Sequence, residues 1–200
     1  MAYSMFFLKS LAFAAGGTYV EKKYLPSLIP AFFEKSPITG MSHGFGLCIG
    51  SLLLYNSWLF FYGMSIGGKR SKFMERARKD GEKDVDARYS SPNLYVSGGT
   101  KHANAFNCAQ RSHQQQLEMS GAFNFFVLAS GVAFPATAAV AGFLYTFSRR
   151  IWAKSYANDE GDASKRYSSP LSRLYWYSFL ALMFMSGMTC INLTGFFTFW

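Results

Sequence analysis

The sequence predicts an all-α integral membrane protein, a bundle of four transmembrane helices preceded by an N-terminal extension. Half of its 200 residues are hydrophobic and only 16% are charged, which is unusually apolar for one domain. No Lys or Arg occurs between Met119 and Ser148 or after Arg173. The positive charge is therefore confined to segments that flank uncharged stretches, which is typical of membrane topology.

The net charge of +9 is compatible with several classes of partner, namely nucleic acid, anionic lipid or an anionic substrate. The placement of the charge in loops beside apolar stretches excludes a nucleic-acid-binding face. Three Cys residues without CxxC spacing argue against a disulfide framework, and three widely separated His residues give no paired metal-ligand spacing. We expect membrane lipid as a partner, and neither nucleic acid nor a metal site.

Four uncharged or weakly charged stretches define the predicted spans. Residues 45–68 carry no charge over a length that matches the ~20 residues needed to cross a bilayer. The second span is predicted at 106–133 and the third at 135–157, with Pro135 suited to a first helical turn. The fourth is predicted at 170–200. The basic loops after the first and third spans should share one side, cytosolic or matrix-like, with both termini on the other.

Residues 1–43 form an extension to the predicted transmembrane domain at 44–200. Lys9 lies inside the apolar run rather than before it, so the segment does not fit a cleaved signal peptide, and it contains no Arg. We interpret it as an interfacial helix or docking arm, because amphipathic segments often lie in the membrane interface. An uncleaved targeting segment is the alternative.

Residues 106–118, FNCAQRSHQQQLE, place charged side chains at the mouth of the second span. A charge at membrane depth costs roughly 2.5–3.5 kcal/mol on insertion scales, which makes such residues candidates for function. On an ideal helix Arg111, Gln115 and Glu118 stand at i, i+4 and i+7 and share one face. We therefore expect this face to line a cleft rather than lipid.

Other polar residues fall at the same basic-side ends of the spans. A cluster of this kind needs an anion, and Arg binds carboxylates bidentately while Glu118 would accept an ammonium group. A small zwitterion with two carboxylates, such as glutathione, fits this inventory, although spacing alone does not name it. For Arg149 the alternative is an interfacial anchor beside Trp152. The full set is Arg78, Lys79, Arg111, Gln115, Glu118, Arg149, Tyr156 and Arg166.

The central stretch also carries a resemblance to a known family. Phe106-Asn107-Cys108, Gln110-Arg111, His113-Gln114 and Leu117-Glu118 resemble the FNCxQRxHQxxLE pattern of the membrane-associated eicosanoid and glutathione metabolism (MAPEG) family, closest to its type 3 microsomal glutathione transferases. Shorter matches lie at residues 77–79, 149–156 and 164–166.

The resemblance implies a four-helix subunit that forms a homotrimer and binds glutathione, as co-substrate, between neighbouring subunits. It implies that Arg166 lies near the glutathione sulfur and promotes its thiolate. The implied reactions are conjugation of glutathione to lipophilic electrophiles and reduction of lipid hydroperoxides, in the endoplasmic reticulum or an organellar, mitochondrial membrane. The residues implied to bind glutathione are Arg78, Arg111, Gln115, Glu118, Arg149 and Tyr156.

The chain departs from the family pattern in ways that leave a second function open. Gln115 stands where the resemblance implies Asn, and Trp152 stands where it implies Tyr. The loop between Tyr156 and Arg166 is longer than usual. Together with the extension, these departures are also typical of a non-catalytic subunit that uses the fold as a scaffold in a larger organellar membrane complex.

Overall fold

The computed structural model describes residues 2–195, with side chains from residue 4 onward. Within these residues the protein consists of α-helices and two short 3-10 turns, at Ala163–Tyr167 and Pro170–Arg173, without β-strands. This confirms the predicted all-α class. The helices are α1 (Ala2–Lys23), α2 (Leu25–Leu28), α3 (Pro30–Phe33), α4 (Phe45–Lys79), α5 (Val85–Tyr89), α6 (Lys101–Ala133), α7 (Pro135–Tyr156) and α8 (Leu174–Thr194).

The four predicted spans coincide with α4, α6, α7 and α8, with differences at the helix ends. Helix α6 begins at Lys101 rather than Phe106, because the Thr100 hydroxyl accepts a hydrogen bond from the Ala103 backbone N–H at 3.3 Å and caps the first turn. Helix α8 begins only at Leu174, since residues 170–173 form a 3-10 turn. The predicted end of the fourth span, beyond residue 195, lies outside the described residues.

Length and hydropathy identify two membrane-spanning candidates in the described part of the chain, Phe45–Lys79 and Pro170–Thr194. Both are long enough to cross the ~30 Å hydrocarbon layer. Helices α6 and α7, with 33 and 22 residues, are also long enough, but their ends nearest the basic loops carry the candidate site residues. The predicted sidedness of the loops stays a prediction.

The chain divides into two compact units, and the first combines residues up to 55 with 120–147 and the chain from 174 onward. Its centre is a buried aromatic cluster in which the Phe123 and Tyr145 rings stack at 4.0 Å. The Tyr55 ring meets Phe123 edge-on at 4.8 Å, and Tyr175 meets Tyr145 at 6.2 Å. Helix α1 belongs to this unit and packs on α8.

The second unit contains residues 56–119 and 148–173, and it holds all the candidate site residues. Its core joins the second half of α4 to the first half of α6 through buried Phe73, Tyr89 and Phe106. The Arg70 guanidinium lies over the Phe106 ring at 4.5 Å and donates to the backbone carbonyls of Tyr89 and Asn93 at 3.1 and 2.8 Å. These bonds hold the connection between α4 and α6 in a fixed conformation.

Candidate functional site

The ion pair between Arg111 and Glu118 lies on the exposed face of α6. Arg111 Nη1 donates to Glu118 Oε1 at 2.6 Å, and the two side chains are 42% and 54% exposed. Residues seven apart lie nearly two full turns apart on one helix face, so the predicted alignment of these two residues is confirmed. Because both side chains are exposed to solvent, this ion pair contributes little to the free energy of folding. A ligand that carries opposite charges can therefore replace the pair at little cost.

Gln115 lies on the same helix between these two charges. Its side chain is half-buried, and its Oε1 atom is buried without a hydrogen-bond partner in the described residues. A buried amide oxygen without a donor is disfavoured by about 1–3 kcal/mol. The position therefore suits a ligand that supplies an N–H group.

Tyr156 and Arg166 lie next to each other at the end of α7 and in the following 3-10 turn. The Arg166 guanidinium lies 5.5 Å from the centre of the Tyr156 ring, and both side chains are partly exposed. Arg111 interacts electrostatically with Tyr156, and Arg166 does so with Cys108, three residues before Arg111 on α6. The second unit thus contains two contacting pairs, Arg111 with Glu118 and Tyr156 with Arg166, and we call these four residues the polar cluster.

The loop before Arg166 is ordered by hydrogen bonds and ion pairs. Asn158 donates to the carbonyl oxygens of Ser155 and Asp162 at 3.0 and 2.8 Å. Gly161, at φ +72°, approaches α6 so closely that a Cβ there would lie 2.7 Å from the Ala105 backbone nitrogen. The loop is therefore folded against α6.

Two carboxylates of this loop have lowered pKa values. Lys72 and Arg76 both bind Asp159, at 3.1 and 3.0 Å, and the hydrogen bond from Lys72 is the main cause that lowers the pKa of Asp159. Hydrogen bonds from the Ser164 hydroxyl and backbone N–H lower the pKa of Asp162. Both carboxylates stay ionised at neutral pH, so the loop is held to α4 by charge.

Arg149 differs from the other candidates because its side chain is fully buried, at 0% exposure. Its Nε atom donates to Gln116 Oε1 at 2.6 Å, and its guanidinium lies 4.6 Å from the centre of the Trp152 ring. The Trp152 ring in turn contacts Tyr156 edge-on at 5.0 Å. Arg149 therefore supports the polar cluster from inside the protein, and its predicted contact with a ligand stays a prediction.

Arg78 and Lys79 lie at the end of α4 and make contacts of their own. Arg78 pairs with Asp86, and Lys79 pairs with Glu75 at 2.7 Å, all four side chains being more than half exposed. Arg78 also lines a surface cavity of about 480 Å³ with Glu82, Asp84 and Asp86. In the described residues neither cation bonds to the polar cluster, so their roles as ligands stay predictions.

Three residues near the polar cluster were missed by sequence reasoning. Gln116 carries the hydrogen bond to Arg149. Tyr95 donates its hydroxyl proton to Gln114 and interacts electrostatically with Arg111. Asn107, part of the FNC motif, binds the backbone N–H and carbonyl of Val96, both at 2.8 Å. The Gly98-Gly99 turn was a signal that residues 93–97 fold back onto α6.

Comparison with known proteins agrees with this architecture. The profile of the MAPEG family matches residues 45–191, from the start of α4 to near the end of α8. The solved structures contain no match to the chain. Helices α1 to α3 precede the matched residues, and the polar cluster lies within them. The chain, a helical membrane protein, therefore belongs to the MAPEG family.

Proposed function

We propose that the protein is a membrane-bound glutathione S-transferase or glutathione-dependent peroxidase that acts on lipophilic electrophiles or lipid hydroperoxides. Members of the family generally use glutathione. The observation that carries the proposal is the polar cluster, in which an exposed Arg111–Glu118 ion pair and the contacting pair Arg166 and Tyr156 lie in the same unit. Within the family, the pattern at 106–118 favours the type 3 microsomal glutathione transferases.

The residues fit the charged groups of glutathione, which has two carboxylates and one ammonium. Arg111 would bind a carboxylate and Glu118 the ammonium, so that both halves of their present ion pair are satisfied by ligand. Gln115 Oε1 would accept from a ligand N–H, and the Tyr156 hydroxyl would donate to the second carboxylate. Arg78 would bind a ligand carboxylate after its ion pair with Asp86 breaks. Arg149 would hold Trp152, and through it Tyr156, in place.

Arg166 would stabilise the thiolate form of the ligand. A free thiol has a pKa near 8.5, and a guanidinium that lowers it by two units supplies about 2.7 kcal/mol. The thiol proton passes to solvent, and the sulfur then bonds to an electrophilic carbon, whose leaving group departs with the bonding electrons. In the peroxidase reaction two thiols reduce the O–O bond to an alcohol and water and form a disulfide.

The assembly and location follow the same proposal. In a homotrimer the exposed side of the polar cluster would contact a neighbouring subunit. Lipophilic substrate dissolved in the membrane would reach the site along the apolar spans. The endoplasmic reticulum or the mitochondrial membrane would be the location.

The test compares the full-length protein with Arg166→Ala and with Arg173→Ala. Arg173 is an exposed cation of the next 3-10 turn and serves as the matched control. We expect calorimetry to detect glutathione binding to all three. Arg166→Ala should lower the bound thiolate, measured by its ultraviolet absorbance, and the conjugation rate by up to about a hundredfold, as two pKa units require. Absence of glutathione binding, or equal rates for the two variants, would refute the proposal.

A scaffold subunit of a larger membrane complex is the second candidate. It is favoured by helices α1 to α3, which lie outside the family match and expose large apolar side chains such as Leu8 and Leu28. Such surfaces often mark contacts with other chains or with lipid. Native gel analysis of gently solubilised membranes decides between the two, because a free homotrimer as the sole species contradicts the scaffold function.

A further inference from the structure

Helix α1 has one buried face, and that face consists of small or hydrogen-bonded side chains. Ser10, Ala14, Thr18 and Glu21 recur at helical spacing, and all four are 0% exposed. The Ser10 and Thr18 hydroxyls donate to backbone carbonyls of their own helix, at 3.0 and 2.8 Å. Small side chains of this kind let membrane helices approach closely.

The beginning of α1 packs on the first half of α8, where the Phe7 ring also meets Phe184 edge-on with ring centres 6.3 Å apart. The Phe6 ring stacks on Tyr177, three residues into α8, with ring centres 3.9 Å apart. Lys9 and Phe13 line a cavity with Leu144 of α7 and Leu174 of α8. Helix α8 begins directly after the 3-10 turn that closes the basic loop. The beginning of α1 therefore lies on the side of the first unit where the chain enters α8.

The last turns of α1 lie at the beginning of α7. Glu21 Oε1 accepts from the Ala136 backbone N–H at 2.9 Å, and Oε2 accepts from Thr137 N–H at 2.8 Å. Gly17 lies so close to α7 that a Cβ there would be 2.6 Å from Thr137 Cγ2. Phe13 of α1 therefore lies near Leu144 of α7, and Glu21 lies near Ala136. Because the residue numbers rise along α1 while they fall along α7, the two helices are antiparallel.

Apart from Lys9, the exposed side chains of α1 between Met5 and Val20 are apolar or aromatic, although length and hydropathy alone do not select α1 as a span. With 22 residues it is about 33 Å long, as long as α7 and enough for the ~30 Å hydrocarbon layer. Its outer side exposes Leu8, Leu11 and Val20 by 45–64%. At its end the Lys23 ammonium lies 5.1 and 5.3 Å from the Tyr19 and Tyr24 ring centres, the basic and aromatic combination found at membrane interfaces.

We propose that α1 is a fifth transmembrane helix, parallel to α8, whose outer apolar face contacts lipid acyl chains. A helix lying in the interface plane cannot follow α7 lengthwise while α7 crosses the bilayer. The proposal places the first turn of α1 on the opposite side of the membrane from the segment between α3 and α4. The sequence predicts the beginning of the chain on the side opposite the basic loops. The proposal instead places it on the same side as those loops.

Cysteine accessibility in sealed membrane vesicles tests this topology. Ser4→Cys and Ile38→Cys are placed singly in the full chain after replacement of Cys48, Cys108 and Cys190 by Ala; both native positions are exposed. A membrane-impermeant maleimide should label only one of the two variants in intact vesicles and both after detergent is added. Labelling of both, or of neither, in intact vesicles overturns the proposal.

A depth measurement keeps the proposal testable if either cysteine variant is poorly inserted. A spin label at Leu11, which is 45% exposed, should be relaxed by dissolved oxygen and protected from a water-soluble nickel chelate. The same label at Ile38, which is 92% exposed, should show the opposite preference. Equal access of the nickel chelate to both positions means that α1 lies in water or at the interface, and the fifth span is then refuted.

Discussion

Replacement of Glu21 by Ala should destabilise the first unit, because this carboxylate caps α7 from a different helix. Its two oxygens bind the N–H groups of Ala136 and Thr137, which have no carbonyl partner within α7. Loss of a helix N-cap costs about 0.5–2 kcal/mol, and a partly buried charge at a helix end contributes up to about 2 kcal/mol. We therefore expect Glu21→Ala to lower the free energy of unfolding by about 0.5–4 kcal/mol, the range that these two contributions span.

A graded pair of variants separates the charge from the hydrogen bonds. Glu21→Gln keeps one acceptor oxygen and loses the charge, so its effect should be about half that of Ala. Glu34→Gln is the matched control, because Glu34 is an exposed carboxylate of the same extension. At about 2–4 °C per kcal/mol for a chain of this size, Glu21→Ala should lower the thermal midpoint by roughly 1–16 °C.

The midpoint is measured by circular dichroism on the full chain in detergent, together with amide exchange at Ala136 and Thr137. Both amides should exchange faster in Glu21→Ala, since their acceptor is removed. If Glu21→Ala has the same midpoint and the same exchange rates as Glu34→Gln, the cap contributes nothing and α1 is not held to α7 by this residue.

Substitutions at three further residues test contacts of the second unit. Gln116→Leu removes the acceptor of the buried Arg149 guanidinium and should lower the free energy of unfolding, measured by thermal unfolding, by about 2–4 kcal/mol. Gln116→Glu keeps an acceptor and should retain stability. An equal loss in both variants would contradict the role of this bond. Asn107→Ala removes two bonds to Val96, each worth about 1 kcal/mol, and should speed amide exchange at Val96, with Asn107→Asp intermediate; unchanged exchange would contradict it. Asp159 is ionised above its lowered pKa, so its ion pairs stabilise the fold above pH ~4, the unfolded value, and are lost as pH falls through the folded pKa. Because these pairs are exposed, the free energy of unfolding of the wild type should fall by at most about 1 kcal/mol more than that of Asp159→Asn between pH ~5 and ~2.5. The same pH dependence of stability in both proteins would contradict a contribution from these ion pairs.

The helices could be predicted from the sequence because an uncharged apolar stretch of 18 or more residues is typical of a transmembrane helix. Residues 45–68 and the chain after Arg173 were assigned on this basis, and α4 and α8 contain them as far as the described residues extend. The starts of helices were less accurate. Thr100 caps α6 before the apolar stretch of the span begins, so the start of that stretch does not mark the start of the helix.

The polar cluster was predictable only where its contacts are local in sequence. Helical spacing was sufficient for Arg111 and Glu118, because both lie on α6. The bond between Gln116 and Arg149 joins residues 33 apart, and the bonds of Glu21 join residues 115 and 116 apart. Contacts of this kind depend on how helices pack, and no pattern within either segment specifies them.

Burial divides the candidate residues into two physical roles. A guanidinium at 0% exposure, held by Gln116 and stacked on Trp152, has already exchanged water for protein contacts and gains little from a soluble ligand. The side chain of Arg111 is 42% exposed, so its guanidinium still contacts water that a ligand can replace. Trp152 fits the same division, since its ring fills the space between Arg149 and Tyr156. Trp152 therefore supports Tyr156, and the proposed function assigns ligand binding to the exposed members of the polar cluster.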